Sequence, residues 1–98
     1  MKKLTMFYLK ECPYCQKTFS YIDELKADNE EYEAIEIDMI EEEEHPEIIG
    51  NYNYQAVPCF YFGNDKAFEA YFMIPDSELR EGVKKVLDEA IGNGRIDE

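Results

Sequence analysis

The sequence is short of cysteine, glycine, proline and basic residues, and each shortage excludes a class of protein. Three cysteines in 98 residues is an odd and sparse number, unlike the paired cysteines of a small secreted domain. With 5 glycines, 4 prolines and 45% hydrophobic residues, the chain lacks the composition of a disordered or low-complexity protein. We therefore expect a folded cytoplasmic protein whose thiols are reduced at rest.

Long apolar runs are also missing. No stretch approaches the roughly 20 residues that cross a bilayer as a helix. The N-terminal segment begins like a signal peptide, but Lys10 and Glu11 interrupt it before an apolar core of roughly 7–15 residues can form. The length of 98 residues suits one hydrophobic core. We therefore expect residues 1–98 to form a single domain of a mature cytoplasmic chain.

Positive charge is scarce. The chain has 10 Lys and Arg residues against 23 Asp and Glu residues, which gives a formal net charge of -13 at pH 7. Such a surface repels phosphate backbones and anionic lipid headgroups at long range. We therefore expect no nucleic-acid partner and no membrane partner, and we interpret the acidic run Glu41-Glu42-Glu43-Glu44 as a solvated surface.

The spacing of apolar residues predicts an α/β protein with the order strand, helix, strand, helix, strand, strand, helix. The strands are expected at 4–9, 32–38, 57–62 and 67–72, and the helices from 13, from 46 to about 52, and from 75. Two strands joined by a helix should be parallel with a right-handed crossover. The tetrapeptide Gly63-Asn64-Asp65-Lys66 is typical of a hairpin turn, and Gly92 and Gly94 are expected to end the last helix.

The most specific motif is Cys12-Pro13-Tyr14-Cys15. Pro13 suits the first helical position, where its missing N–H costs nothing, so Cys12 falls at the helix N-cap. The backbone N–H groups of the first turn and the helix dipole then favour the thiolate of Cys12. Cys15 should keep its proton until a mixed disulfide forms on Cys12, and then attack that sulfur. We therefore expect Cys12 to be the nucleophile and Cys15 the resolving thiol of disulfide reduction.

Other roles for the cysteines stay open at this point. The pair could be structural, and a zinc site needs four ligands, for which the chain offers only Cys12, Cys15, Cys59 and His45. A dimer could share an iron–sulfur cluster or another soft metal through Cys12, with or without Cys59. Cys59 is interpreted first as a small buried hydrophobe, with a third redox thiol or a metal ligand as alternatives. His45 is assigned no role.

The motif Cys12-Pro13-Tyr14-Cys15 after a first strand, with Val57-Pro58 opening a later strand, resembles the glutaredoxins within the thioredoxin fold. The resemblance spans nearly the whole chain. It implies a thioredoxin fold of order β-α-β-α-β-β-α, with a four-stranded mixed sheet flanked by helices. It also implies that Pro58 is a cis proline beside the dithiol, with the backbone of Val57 available to a bound peptide or glutathione. A trans proline at the strand start is the alternative.

The sequence departs from the glutaredoxin pattern in two places. Glutaredoxins hold a carboxylate of glutathione with a Gly-Gly pair, where this chain has Phe68-Glu69-Ala70-Tyr71. Glycine there lets backbone N–H groups approach the carboxylate, whereas Phe and Glu add bulk and like charge. The family's lysine also stands one residue further from the first cysteine than Lys10 does. From Phe62 onward the sequence looks more like thioredoxin proper.

Four residues are candidate substrate contacts beside the dithiol. Lys10 would supply positive charge near Cys12 or meet a substrate carboxylate, although it could be merely solvated. Tyr14 is expected to be an exposed contact platform, and the alternative is that it only shields the sulfurs. The resemblance implies that the backbone of Val57 would pair with an extended substrate and that Pro58 would lie beside it as the cis proline.

Together these features predict a monomeric, cytoplasmic thiol–disulfide oxidoreductase that reduces protein or small-molecule disulfides without a bound cofactor. A thiol reductant would donate the electrons, either a thioredoxin reductase system or glutathione. Because a charge of -13 does not attract an anionic tripeptide, a reductase or a protein partner fits as well as glutathione or better. The alternatives are a glutathione-dependent glutaredoxin and a dimer that binds an iron–sulfur cluster or soft metal through Cys12.

Overall fold

The computed structural model describes residues 3–96, which form one four-stranded sheet with four helices. The strands are β1 (Leu4–Tyr8), β2 (Ile37–Glu41), β3 (Cys59–Phe62) and β4 (Asp65–Glu69). The helices are α1 (Pro13–Asp28), α2 (Glu30–Glu33), α3 (Pro46–Ile49) and α4 (Asp76–Ile96). Apart from the added short helix α2, this is the predicted order of elements.

The sheet is mixed, with the strand order β2-β1-β3-β4. β1 pairs in parallel with β2, where Leu4 lies opposite Ile37, and antiparallel with β3, where Leu4 lies opposite Phe62. The parallel pair is the one expected for two strands joined by a helical connection. Because β1 is an inner strand of the sheet, the loop that leads from Tyr8 into α1 starts near the middle of the sheet rather than at an outer strand.

Alternate residues of β1 reach different cores. Leu4 and Met6 are fully buried and pack with residues of α1 and α4, including Ile22 and Val83. Phe7 is fully buried in a second cluster that contains Tyr61 of β3. This second cluster is rich in tyrosine, because the rings of Tyr52, Tyr54 and Tyr61 all lie against Phe7. The sheet is therefore buried on both faces, which holds the end of β1 in place.

The strand predicted at 32–38 was wrong in its first half, because residues 30–33 form α2. The side chain of Asn29 caps this helix by accepting a hydrogen bond from the Glu31 N–H at 3.0 Å. Acidic residues in the first turn complement the positive end of the helix dipole. Tyr32 is consequently a buried helical residue whose hydroxyl hydrogen-bonds with Asp88, and β2 begins only at Ile37.

The second hairpin strand also differs from its prediction at 67–72. The chain turns at Gly63, whose φ of 61° lies in the left-handed region, so β4 begins at Asp65 and ends at Glu69. Residues 71–73 therefore lie in an exposed loop rather than a strand. The last helix, α4, continues through Gly92 and Gly94 to Ile96, so these glycines do not end it as predicted.

No helix within residues 3–96 combines the length and the apolar character needed to cross a bilayer.

Candidate active site

The dithiol lies at the junction of β1 and α1. Cys12 is the N-cap, with extended backbone at φ -78° and ψ 120°, and Pro13 opens the helix as predicted. The N–H of Cys12 donates to the Leu9 carbonyl at 3.2 Å, and the Cys12 carbonyl accepts from the Gln16 N–H at 3.1 Å. Cys12 is half-buried and Cys15 is fully buried. One sulfur is thus accessible, and the other lies one turn behind it.

The thiol of Cys12 faces the loop that precedes β3. Its side chain makes no capping hydrogen bond to the first turn of α1. The Cys12 Sγ instead lies 3.8 Å from the carbonyl oxygen of Val57, to which the S–H can donate. The Val57–Pro58 peptide bond is cis, as the resemblance to glutaredoxins implies, and Pro58 is buried. The structure therefore brings together three of the predicted site residues, Cys12, Val57 and Pro58.

Cys15 is held in its protonated form. The pKa of its thiol is raised from 9.0 to about 12, mainly by burial; the neighbouring Cys12 and Glu42 act in the same direction, and a hydrogen bond with the Leu9 backbone opposes them. The contribution of Cys12 depends on the free sulfur of that residue. A covalent bond to the Cys12 sulfur would remove this contribution and make Cys15 easier to ionise.

Cys59 belongs to the aromatic cluster on the other face of the sheet. It is fully buried and packs with Phe7 and Tyr61. Burial raises the pKa of its thiol from 9.0 to about 12, and the negative charge of Glu69 acts in the same direction. This environment matches the interpretation of Cys59 as a small buried hydrophobe.

The lysines near the dithiol are paired with carboxylates. Lys10 Nζ lies 2.6 Å from Glu44 Oε2, and Lys17 Nζ lies 2.7 Å from Asp76 Oδ1. A hydrogen bond with Glu44 raises the pKa of Lys10, and one with Asp76 raises that of Lys17. Lys10 lies on the loop before Cys12, and its charge is compensated by Glu44.

Glu41 was interpreted as solvated, and this was wrong. The residue is only 2% exposed at the end of β2. Its carboxylate accepts hydrogen bonds from the N–H groups of Lys10 at 3.2 Å, Glu43 at 2.6 Å and Glu44 at 3.1 Å. It thereby ties the loop that carries Cys12 to the loop after β2.

Tyr14 is half-buried rather than an exposed platform. Its ring packs against the cluster of Ala70, Ile74 and Leu79, and its hydroxyl accepts a hydrogen bond from the Met73 N–H at 2.7 Å. The loop that it holds exposes two large apolar side chains, Phe72 at 83% and Met73 at 72%. The sequence pattern does not predict this apolar surface, because it places Phe72 at the end of a strand.

The segment in place of the glutaredoxin Gly-Gly pair makes internal contacts along its length. Phe68 packs near Phe60, with ring centroids 6.5 Å apart. Glu69 Oε2 accepts hydrogen bonds from the N–H groups of Gln55 at 2.6 Å and Ala56 at 2.8 Å. The N–H of Ala70 donates to the Pro58 carbonyl at 3.0 Å. Side chains and backbone of this segment thus bind the cis-proline loop of the chain itself.

A metal site within one chain was the other interpretation of the cysteines. Among residues 3–96, no three His, Cys, Asp or Glu side chains are grouped so as to hold a metal ion. This result gives no support to a zinc site built from one chain. A cluster shared between two chains stays a prediction.

Comparison with known proteins agrees with this geometry. The glutaredoxin family model matches residues 4–68, which include both cysteines of the dithiol and the cis proline. Thioredoxin 1 from the thermophilic eubacterium Thermosipho africanus has a similar structure, with a TM-score of 0.55 and 17% sequence identity, covering 90% of this chain and 97% of that one. At this identity the similarity shows the fold alone, and it confirms the predicted thioredoxin fold. Among curated proteins, none matches the chain.

Proposed function

Because the chain belongs to the glutaredoxin family, we propose that it is a thiol–disulfide oxidoreductase that reduces disulfides through Cys12 and Cys15. The observation that carries this proposal is the arrangement of the two thiols. Cys12 is accessible at the start of α1 and lies 3.8 Å from the Val57 carbonyl oxygen, whereas Cys15 is buried and protonated behind it. The first thiol is suited to attack a substrate, and the second is suited to act later.

In the proposed reaction, the thiolate of Cys12 attacks one sulfur of the substrate disulfide. The substrate S–S bond breaks, a new S–S bond joins Cys12 to the substrate, and the displaced thiolate takes a proton from water. Cys15 then loses its proton and attacks the Cys12 sulfur, which releases the second substrate thiol and leaves a Cys12–Cys15 disulfide. Two electrons therefore pass from the two cysteines to the substrate, together with one proton from Cys15 and one from water.

The backbone of Val57 would hold the substrate during the attack. An extended peptide that pairs with Val57 adds a short strand beside Pro58. Its disulfide would then lie next to the Cys12 sulfur, because that sulfur already contacts the Val57 carbonyl oxygen. Correct orientation of the two reacting sulfurs is a large part of the acceleration that such a site provides.

Protein disulfides are the proposed substrates, and a dithiol reductant of the thioredoxin reductase kind is the proposed electron donor. Phe72 and Met73 offer an exposed apolar surface beside Tyr14, which suits a protein partner better than a small anion. Glutathione is disfavoured because Lys10 is paired with Glu44, because Glu69 and Ala70 bind the chain's own loop, and because the net charge is -13.

The proposed setting follows from the same chemistry. A dithiol that must be reduced to act requires a reducing compartment, so we place the reaction in the cytoplasm. Since both reacting thiols come from one chain, we propose a monomer that uses a soluble reductant and no bound cofactor.

Insulin reduction by the purified protein tests the proposal. One arm supplies NADPH with thioredoxin reductase, and the other supplies NADPH with glutathione and glutathione reductase. We expect faster turnover in the first arm and no turnover with Cys12→Ser. The proposed activity is excluded if neither system supports turnover in the wild type. A faster second arm would instead identify a glutathione-dependent enzyme.

A further inference from the structure

We infer that Glu69 is a positioning residue for disulfide reduction, because its carboxylate holds the backbone that leads into the Val57–Pro58 turn. Glu69 is the last residue of β4 and lies 13 positions after Ala56 in the sequence. The inference rests on the proposed function, since it assigns Glu69 a part in presenting the Val57 backbone to a substrate.

The loop before Pro58 needs such an anchor. Between the end of α3 at Ile49 and the start of β3 at Cys59, the chain forms no helix or strand. Backbone N–H groups in such a segment lack the regular partners that a helix or a sheet provides, and they must be satisfied in other ways. The chain therefore needs side chains from elsewhere to fix this loop.

Glu69 supplies two adjacent hydrogen bonds to that loop. Its Oε2 lies 2.6 Å from the Gln55 nitrogen and 2.8 Å from the Ala56 nitrogen. Hydrogen bonds from N–H groups to an ionised carboxylate are stronger than those between neutral groups. The two bonds fix the position and the orientation of the peptide units immediately before Val57.

Glu69 is ionised, and its two carboxylate oxygens have different partners. Its Oε1 accepts a hydrogen bond from Lys66 Nζ at 2.8 Å. Burial alone would raise the pKa of Glu69, but the hydrogen bonds from Lys66, Gln55 and Ala56 outweigh burial and lower it. The carboxylate is thus charged at neutral pH, and its second oxygen is free to serve the loop.

Neighbouring residues hold the same loop at two further points, one before Val57 and one after it. The N–H of Ala70 donates to the Pro58 carbonyl at 3.0 Å, and the Tyr61 hydroxyl donates to the Asn53 carbonyl at 2.9 Å. The chain from β3 to Ala70 therefore forms hydrogen bonds with the loop on both sides of Val57. Val57 lies between these anchors with its carbonyl oxygen facing the Cys12 sulfur. Loss of the Glu69 anchor should let this carbonyl drift from the position that a substrate strand requires.

Three variants test the role of Glu69. Glu69→Ala removes the anchor, whereas Glu69→Gln keeps an oxygen that can accept from both N–H groups. Lys66→Met is the matched control, because it removes the ion pair with Oε1 and leaves the bonds from Gln55 and Ala56. For each variant we would measure kcat/KM with insulin, the rate of Cys12 with a small aromatic disulfide, the melting temperature, and amide exchange at Gln55 and Ala56.

For Glu69→Ala we expect lost exchange protection at Gln55 and Ala56 and a fall in kcat/KM with insulin on the order of 10-fold. The rate with the small disulfide, which needs no strand pairing, should change by less than about 2-fold. Glu69→Gln and Lys66→Met should both stay within about 2-fold of the wild type on insulin. Rescue by Gln separates an anchoring role from a role of the charge.

Two outcomes would overturn the assignment. One is insulin turnover in Glu69→Ala that stays near the wild-type value, and the other is an equal fall in Lys66→Met, which would indicate a general effect of the ion pair. If Glu69→Ala does not fold, Glu69→Asp replaces it, since it keeps the charge but is one methylene too short to reach both N–H groups. An inactive wild type would overturn the proposed function instead, and with it the role of Glu69.

Discussion

The sulfur of Cys12 and the carbonyl oxygen of Val57 lie 3.8 Å apart, although the two residues are 45 positions apart in the sequence. One comes from the junction of β1 and α1, and the other from the irregular loop before β3. The contact joins the proposed nucleophile to the backbone that would hold its substrate. Both parts must therefore be positioned accurately for attack on a disulfide.

Cysteine substitutions should separate the steps of the reaction. Cys12→Ser should reduce insulin turnover to the background rate, because no nucleophile remains. Cys15→Ser should stop at the mixed disulfide, which mass spectrometry would detect as a covalent adduct on Cys12. Cys59→Ala is the control, and its turnover should stay within about 2-fold while it loses on the order of 1 kcal/mol of stability. A Cys15→Ser protein that turns over like the wild type would point to a monothiol mechanism.

The buried thiols should make the protein less stable at alkaline pH. The folded pKa of Cys59 is raised to about 12 from 9.0, so its unfolded form ionises first as the pH rises above about 9. Stability from the buried neutral thiol is therefore complete below that pH and is lost as the pH approaches 12. The advantage of the wild type over Cys59→Ala should shrink by at most about 1.4 kcal/mol per pH unit.

Denaturant unfolding of both proteins between pH 8 and pH 11 measures this difference, since ionisation of lysines and tyrosines is common to both. A difference in unfolding free energy that does not vary with pH would contradict the raised pKa of Cys59. Alkylation at neutral pH offers a second check, in which Cys12 should react well before the fully buried Cys15 and Cys59.

The local pattern of the sequence was enough to predict the dithiol and the element order. Cys12 and Pro13 sit at the helix start because a proline at the first helical position is a local signal. The prediction of a strand from Tyr32 was wrong because it used only the alternation of apolar and polar residues. Asn29 followed by acidic residues is a helix-start signal that favours α2 instead. That signal could have been found in the sequence.

The contacts that form the rest of the site could not be predicted from the local sequence pattern. Glu41 looks solvated within an acidic run, yet it is buried because three backbone N–H groups from two loops converge on it. Glu69 looks like an obstacle to a carboxylate, yet it binds the N–H groups of Gln55 and Ala56. Such hydrogen bonds depend on which loops the fold brings together, and the spacing of residues in the sequence does not predict which loops meet.

The exposed Phe72 should increase the rate of reduction of protein disulfides but not of small disulfides. Its side chain is 83% exposed beside the loop that Tyr14 holds. Phe72→Ser should lower kcat/KM with insulin by roughly 3- to 10-fold, less than full burial of a Phe side chain would give. The rate with a small aromatic disulfide should not change, and neither should the melting temperature. An equal fall with both substrates would place the effect on the dithiol rather than on docking.

The ion pair of Lys10 with Glu44 should control the response to anionic disulfides. Because Glu44 compensates the Lys10 charge at 2.6 Å, Lys10→Met should change the rate with glutathione disulfide by less than about 2-fold. Glu44→Gln should free the ammonium and raise that rate by about 2- to 5-fold at low salt. The increase should vanish in concentrated salt. No increase at low salt would show that Lys10 is too remote to act on the substrate.

Replacing a helical glycine with alanine usually stabilises a protein, but at Gly82 the Phe68 ring should make this change destabilising. A Cβ on Gly82 would lie 2.4 Å from the Phe68 ring, whereas one on Gly92 in the same helix would meet nothing within 4 Å. Gly92→Ala should therefore gain up to about 1 kcal/mol from helix propensity. Gly82→Ala should lose about 1 kcal/mol, since overpacking costs more than the propensity returns.

Denaturant unfolding of the two alanine variants compares these effects directly, and a similar gain in both would refute the overpacking. In a Phe68→Leu background, which lacks the ring, Gly82→Ala should be stabilising because the clash is removed. Phe68 directly precedes Glu69, the anchor of the cis-proline loop. Gly82→Ala should consequently lower insulin turnover as well as stability, while Gly92→Ala should leave turnover unchanged.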